Sequence, residues 1–187
     1  ERISASRQRR TPVRLRRLPL ALEVAHPAPQ PLDWRGAVLR IGAGRILVGR
    51  NYSAQPAADA VVDLADRPHV LIAGTTGSGK STMLRTALAS LCYSTPPAAL
   101  RLALVDLKNE DLVPFARLPH VAVSAWTAAD ARSVVRSVAA ELARRVEAGA
   151  GDWQRLVLVI DELAQLDPDS VEVLGSVLAV GRSKAVN

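Results

Sequence analysis

The sequence predicts an α/β fold in which helices cover both faces of a mostly parallel sheet. Short, continuously apolar segments typical of buried strands alternate with longer segments that carry apolar residues at helical spacing. A glycine-rich turn joins one such strand directly to one such helix. The chain has 187 residues, of which 49% are hydrophobic, and this is enough for one ordinary domain with its own core. The alternation favours parallel strands because parallel neighbours are joined by crossovers that usually contain a helix.

Residues 1–33 are predicted to be a basic, proline-rich arm or linker. The first 20 residues contain seven arginines and one acid, Glu1, whereas the other 167 residues carry 17 basic and 17 acidic side chains. The formal net charge of +6 therefore belongs to this segment. Its prolines disfavour helix and predict an extended connector. Such a segment is typical of an arm that binds phosphate on DNA or on lipid head groups, and a solvated linker is the alternative.

The remaining residues, 34–187, are predicted to form the domain, which begins with short strands. Residues 38–41 and 46–48 are candidate strands with glycines between them, and residues 61–64 are a third. Residues 51–59 are polar and contain a proline, which predicts a loop.

Four longer apolar runs predict the strands of the parallel sheet. They span residues 70–73, 100–105, 121–124 and 156–160. Residues 70–73 and 156–160 are continuously apolar, and 100–105 are apolar except for Arg101, as expected for buried strands, while 121–124 are a possible further strand.

Three helices are predicted between and after these strands. Residues 171–179 form the last one, with Asp169 or Ser170 as its cap. The apolar stripe of the first helix comprises Met83, Leu84, Ala87, Leu88 and Leu91. The stripe of the second, which closes near Gly149, comprises Ala131, Val134, Val135, Val138, Leu142 and Val146.

Composition excludes several classes of protein. A single cysteine, Cys92, excludes a disulfide framework and a clustered-thiolate zinc site. No apolar run approaches the ~18–20 residues that a membrane-spanning helix needs. We therefore expect a cytoplasmic domain in a reducing compartment, at the inner face of a membrane if a longer protein anchors it there.

A glycine-rich loop predicts a nucleotide site. Residues 74–81 fit G-x-x-x-x-G-K-[ST], and they follow a predicted buried strand and open an amphipathic helix. The glycines allow the backbone N–H groups to surround a phosphate chain, and the helix N-terminus favours the same anion. Lys80 is expected to reach the β- and γ-phosphates of ATP, and the Ser81 hydroxyl to ligate Mg²⁺. The predicted nucleotide-binding residues are Gly74, Thr75, Thr76, Gly77, Ser78, Gly79, Lys80, Ser81 and Thr82.

Two acids follow a later strand and complete a predicted hydrolytic site. Asp161 is the expected magnesium acid, and Glu162 is expected to orient or deprotonate the attacking water, with Lys80 as the other catalytic residue. Asp106 also follows an apolar strand and ranks second as the magnesium acid, since no glutamate comes after it. Lys108 is left open between nucleic acid, the γ-phosphate and a plain surface position.

The order of several segments resembles the FtsK/SpoIIIE-type DNA translocases, within the RecA-like and HerA-like motor ATPases. Residues 68–81 are close to the family's most diagnostic stretch, and residues 106–108 resemble its Asp-Pro-Lys with leucine in place of proline. Together the matching segments cover about residues 45–187. The others are residues 46–50, 63–64, 118–120, 141–145, 161–164 and 181–182.

The resemblance implies a RecA-like P-loop NTPase core that works as an ATP-dependent motor on double-stranded DNA. It also implies a homohexameric ring with ATP between subunits, a membrane anchor in a preceding part, and a motor domain that is incomplete at Asn187. Arg182 is a candidate to face the nucleotide or a neighbouring subunit, and a surface position is the alternative. The same ATPase type drives protein export in type VII secretion, so a protein cargo is the second hypothesis. A nucleotide-binding assembly module without turnover is the third.

Overall fold

Three parallel strands at the centre of the fold have the apolar sequences predicted to be buried. The computed structural model describes residues 13–17 and 20–24 as backbone, and residues 32–51, 56–75 and 77–187 in full. In chain order its elements are β1 (Val13–Arg17), β2 (Leu20–Val24), α1 (Trp34–Ile41), β3 (Arg45–Asn51), β4 (Ala58–Asp63), α2 (Lys80–Ser94), β5 (Leu100–Asp106), β6 (Val121–Ala125), α3 (Ala128–Glu147), β7 (Arg155–Asp161) and α4 (Pro168–Val180). The parallel sheet has the order β6-β5-β7.

Helices pack on both faces of this sheet, as predicted for the α/β class. Side chains alternate along β5, so that Leu102 and Leu104 join one apolar cluster and Ala103 and Val105 join the other. The leucine side packs against α2, including Leu88 and Leu91, and the other side packs against α3. Both clusters consist of buried residues, which explains why the strand reads as a continuous apolar run.

The stripe predicted for α3 is confirmed except at its last member. Ala131, Val134, Val135, Val138 and Leu142 are all buried. Val146, however, is 46% exposed, and the neighbouring Arg145 is buried in its place. The Arg145 guanidinium pairs with Glu141 and donates to the carbonyl of Lys184, so its charge and N–H groups are satisfied inside the fold.

The strand predicted at residues 38–41 is wrong, because these residues belong to helix α1. The Asp33 carboxylate caps this helix by accepting a hydrogen bond from the Gly36 N–H. Ala37, Val38 and Ile41 then bury on the same side, against Leu47 of β3. Such a short run, with three apolar residues in four, fits either structure, and Asp33, five residues before Val38, was the signal for a helix.

The hairpin of β3 and β4 packs against helix α2. The strands predicted at residues 46–48 and 61–64 are present within it as an antiparallel pair. The Leu47 N–H donates to the buried Ser90 hydroxyl of α2, and the Gly44 N–H donates to the Thr95 hydroxyl. These two bonds fix the hairpin to the far half of the helix.

The strand predicted at residues 70–73 is also wrong. These residues pair with no other strand among those the structure describes, and the side chains of Val70 and Leu71 are 46% and 81% exposed. The neighbouring edge of β7 is instead paired with the chain at Val186, which forms a parallel bridge to Leu156. The Asn187 side chain donates to the carbonyl of Pro68 and so separates β7 from this segment. The apolar pattern is real, but no described strand lies beside it.

The last helix starts three residues earlier than predicted. Asp167, and not Asp169 or Ser170, caps α4, since its carboxylate accepts a hydrogen bond from the Ser170 N–H at 3.1 Å. Pro168 then occupies the first helical position, where its missing N–H costs nothing.

The N-terminal segment contains one hairpin where an extended connector was predicted. β1 and β2 pair antiparallel, with Val13 opposite Val24 and Arg17 opposite Leu20. The description of residues 1–33 as an arm or linker stays a prediction, and most of that segment lies outside the described residues.

Candidate nucleotide site

The glycine-rich loop has the compact shape that its sequence predicts. The Ser78 N–H donates to the Thr75 carbonyl at 3.1 Å, which closes a turn inside the loop. Gly77 and Gly79 have φ values of 78° and 95°, which side chains other than glycine rarely adopt. A Cβ on Gly74 would overlap the Ser78 hydroxyl. The predicted site residue Thr76 lies outside the described residues.

Helix α2 begins at Lys80, directly behind the loop, as predicted. Gly79 is its cap residue in the left-handed conformation, and no side chain caps the first turn. The first turn also contains no acidic residue, so its free N–H groups and partial positive charge remain available to an anion. Ser81 is half-buried and Thr82 exposed within this turn. The loop and the helix start therefore form an anion-binding surface.

Glu162 lies between two lysines from different parts of the chain. Its Oε1 atom accepts from the Lys80 Nζ at 2.9 Å and from the Lys108 Nζ at 2.5 Å. Lys108 and then Lys80 hold the pKa of the Glu162 carboxyl at about 2, and the same ion pair raises the pKa of Lys108. The structure thus brings two predicted catalytic residues, Lys80 and Glu162, into direct contact.

The backbone at Glu162 is unusual. Its φ and ψ values of 57° and 58° place it in the left-handed region, which a non-glycine residue enters only at a cost of about 1–3 kcal/mol. This turn ends β7 and directs the Glu162 side chain to the lysines, away from the course of the strand. Strain of this kind is concentrated at functional sites.

Asp161 ends β7 as a buried carboxylate with little to stabilise its charge. Asp161 is only 4% exposed. Burial raises the pKa of Asp161, and the nearby charge of Asp111 raises it further, while Lys80 acts in the opposite direction. A buried carboxylate next to a second acid favours the approach of a cation. The donor set of Ser81 and Asp161 therefore fits Mg²⁺ held together with phosphate oxygens.

Asp106 is not a magnesium acid, because its carboxylate is fully occupied inside the protein. The residue is completely buried at the end of β5. One carboxylate oxygen accepts from the backbone N–H groups of Lys108 and Asn109, and the other accepts from those of Glu110 and Leu112, all at 2.9–3.1 Å. Asp106 shapes the loop of residues 107–112, so the second-ranked candidate is a structural residue.

The sequence reasoning left the role of one residue of this site open and missed another. Lys108 had no assigned partner, and Asp111, whose charge acts on Asp161, was not considered. Both come from the loop that Asp106 holds in place. The only sequence signal was the Asp-Leu-Lys segment that resembles the family's Asp-Pro-Lys, and it identifies the loop without identifying what the lysine contacts.

Two histidines and the single cysteine have structural contacts of their own. The His69 Nε2 and the His120 Nε2 each bond a backbone carbonyl, of Leu178 and Thr95 respectively. Cys92 packs against the core, and burial raises its pKa to about 11. Among the described residues, no group of three or more His, Cys, Asp or Glu side chains can hold a metal by itself. In the same part of the chain, no helix combines the length and the apolar character that crossing a membrane requires.

The sequence matches a known family model and known relatives. The model described as the FtsK/SpoIIIE family matches residues 39–150. A relative named DNA translocase SftA, from Bacillus subtilis (strain 168), is 36% identical over 149 residues. This match covers 67% of the chain and 15% of the relative, so the chain corresponds to a small part of that protein.

Solved structures share the fold. ATPases 2 and 3 of Thermomonospora curvata EccC, in complex with a signal sequence peptide, align with a TM-score of 0.68 and 23% identity, over 79% of this chain and 28% of that chain. The pCW3 conjugation coupling protein TcpA, in its monomer form with ATPgS, aligns with a TM-score of 0.66 and 24% identity, over 89% of this chain and 53% of that chain. The fold is therefore that of a P-loop ATPase domain.

Proposed function

Because the chain belongs to the FtsK/SpoIIIE family, we propose that it is the ATP-dependent motor domain of a double-stranded DNA translocase. In this proposal the domain works in a homohexameric ring, with ATP bound between subunits and duplex DNA in the pore. Hydrolysis shifts one subunit relative to its neighbour and moves the DNA.

One observation carries the ATPase part of the proposal. The lysine of the phosphate loop and the glutamate after β7 are in contact, with the Lys80 Nζ 2.9 Å from the Glu162 Oε1. These residues are separated by 82 positions in the chain, so only the fold brings them together. Hydrolysis of ATP uses a cation that binds the phosphates and a carboxylate that positions the attacking water. This contact brings two such groups together.

The residues have separate roles in this proposal. The loop N–H groups and Lys80 bind the phosphates, and the Ser81 hydroxyl and Asp161 hold the magnesium ion, Asp161 through the ion's water shell. Mg²⁺ would neutralise the charge that develops on the β- and γ-phosphates. Glu162 orients the attacking water and accepts its proton once Lys80 has turned from the carboxylate to phosphate.

The DNA part rests on the family and on charge. The match to a protein named DNA translocase supports a nucleic-acid substrate. The seven arginines in the first 20 residues would neutralise backbone phosphates and make DNA binding strongly dependent on salt. The same arginines also suit the anionic surface of a membrane to which a longer protein is anchored.

A protein-export motor is the second candidate. It is favoured by the likeness of the fold to EccC, a type VII secretion ATPase that has also been solved with a signal sequence peptide. The nucleotide site would be unchanged in this case, and the cargo would be polypeptide. Duplex DNA should then have no effect on turnover.

The test is steady-state ATP hydrolysis by this chain, with and without duplex DNA, beside the Glu162→Gln variant. We expect DNA to stimulate turnover several-fold and the variant to lose about 10²–10⁴-fold, the usual contribution of a general base. An isosteric change at an exposed acid that lies away from the site, Glu172→Gln, is the matched control and should leave turnover unchanged.

Each other outcome points to a different conclusion. Turnover that depends on Glu162 but ignores DNA would support the export motor. Turnover that survives Glu162→Gln would contradict the role of this residue. Binding of ATP without turnover would support the assembly module.

A further inference from the structure

Two ammonium groups compete for one carboxylate oxygen at the candidate nucleotide site. The Nζ atoms of Lys80 and Lys108 lie 2.9 Å and 2.5 Å from the same Oε1 atom of Glu162. The three side chains are partly shielded, with exposed fractions of 29%, 43% and 23% for Lys80, Lys108 and Glu162. Because Glu162 has two partners, either lysine can leave without exposing an unpaired carboxylate.

The two lysines differ in what else they can bind. Lys80 starts helix α2 beside the phosphate loop, where an incoming polyphosphate would attract it. Lys108 belongs to the loop after β5, and its own backbone N–H is bonded to the buried Asp106 carboxylate at 3.1 Å. The base of the Lys108 side chain is therefore fixed, and its position next to Glu162 does not depend on the phosphate loop.

We propose that Lys108 is a positioning residue, which retains the Glu162 carboxylate when Lys80 turns from it to the phosphates of a bound nucleotide. This inference rests on the proposed ATPase function of the site. With Lys108 present, releasing Lys80 breaks one of two ion pairs. Without Lys108, releasing Lys80 breaks the only remaining ion pair, and no partner then fixes the direction of the Glu162 carboxylate.

The alternatives make different predictions. A lysine that contacts phosphate directly would add affinity for nucleotide whether or not Glu162 is charged. A plain surface lysine would add none. Only a lysine that acts through Glu162 loses its effect when the glutamate charge is removed, and a double-mutant cycle measures this dependence.

The experiment compares four proteins: the parent chain, Lys108→Met, Glu162→Gln and the double variant. The measured quantity is the Kd of a fluorescent, non-hydrolysable ATP analogue, mant-AMPPNP, in the presence of Mg²⁺. We expect Lys108→Met to weaken binding about two- to five-fold in the parent, the range for one partly exposed ion pair. In the Glu162→Gln background the same substitution should have no effect, because Lys80 is already free there.

Two further variants exclude trivial causes. Lys108→Arg keeps the cation and should restore parental affinity. Arg117→Met removes the same charge from an exposed site on the connection between β5 and β6, and it should leave the Kd unchanged. Thermal melting of every variant checks that the fold is intact.

The results separate failure of this inference from failure of the proposed function. Equal weakening by Lys108→Met in both backgrounds, or no weakening in either, overturns the positioning role while the nucleotide site stands. A parent chain that does not bind mant-AMPPNP overturns the proposed site, and the inference falls with it.

Discussion

Asp106 and Asp161 end neighbouring strands of the parallel sheet, and the protein uses them in opposite ways. The two residues are partners in the register of β5 and β7, and each ends a continuous apolar run. Asp106 receives four backbone hydrogen bonds from the loop that follows it. Asp161 is buried with its pKa raised. Equal sequence patterns at equal positions therefore produce one acid that shapes a loop and one acid whose pKa is raised by burial.

The largest expected effect comes from removing the structural acid. Asp106→Ala would leave the N–H groups of Lys108, Glu110 and Leu112 without an acceptor, whereas the Asn109 N–H keeps its bond to the Asp106 carbonyl. A buried group without a partner costs about 1–3 kcal/mol. We expect the free energy of unfolding to fall by about 3 kcal/mol, which a urea titration followed by circular dichroism would measure.

Asp161→Ala is the matched control for this change. It shortens the other buried aspartate in the same way and should leave stability unchanged or raise it. If the two variants lose equal stability, the contrast between the two acids is wrong.

The second effect concerns the binding of magnesium. Asp161→Asn keeps the size of the side chain and removes its charge, so the gain in mant-AMPPNP affinity on adding Mg²⁺ should shrink by about tenfold, as for other residues around a metal. Affinity measured with EDTA should not fall. An unchanged magnesium dependence would remove Asp161 from the metal site.

The smallest effect is a gain in stability. The pKa of Asp161 is raised in the folded protein, so its charged form costs stability, and this cost appears as the pH rises through the folded-state pKa. Asp161→Asn should therefore raise the Tm by about 2 °C at neutral pH, which corresponds to about 0.5–1 kcal/mol in a domain of this size. The difference from the parent should shrink towards pH 4 and vanish below it, which scanning calorimetry at several pH values would reveal.

The parts of the fold that follow from local pattern were predictable. The apolar runs of β5 and β7 are largely buried, so that burial and pattern agree, whereas β6 is at the edge of the described sheet and its Ala122 and Val123 are exposed. Residues 70–73 have the same pattern but no described neighbour strand, and hydrophobicity does not say whether a partner is present. Helix α1 was mistaken for a strand because its apolar run is too short to show a period.

The candidate site also has parts that the sequence predicts and parts that it does not. The phosphate loop and the start of α2 are specified by consecutive residues, so the motif predicts their shape. The contact of Lys108 with Glu162 joins residues 54 positions apart, and it depends on the loop conformation that Asp106 imposes. Nothing in the sequence near either residue specifies that contact.

The hydrogen bonds that Asp106 accepts determine which positions of the following loop tolerate substitution. The shape of residues 107–112 depends on backbone N–H groups bonded to one buried side chain, and every residue except proline supplies such a group. The exposed side chain of Glu110 can therefore be exchanged without loss of the loop conformation, whereas Asn109 is restricted by its positive φ of 59°. Substitutions there can change the surface next to the nucleotide site while the hydrogen bonds to Asp106 keep the loop in place.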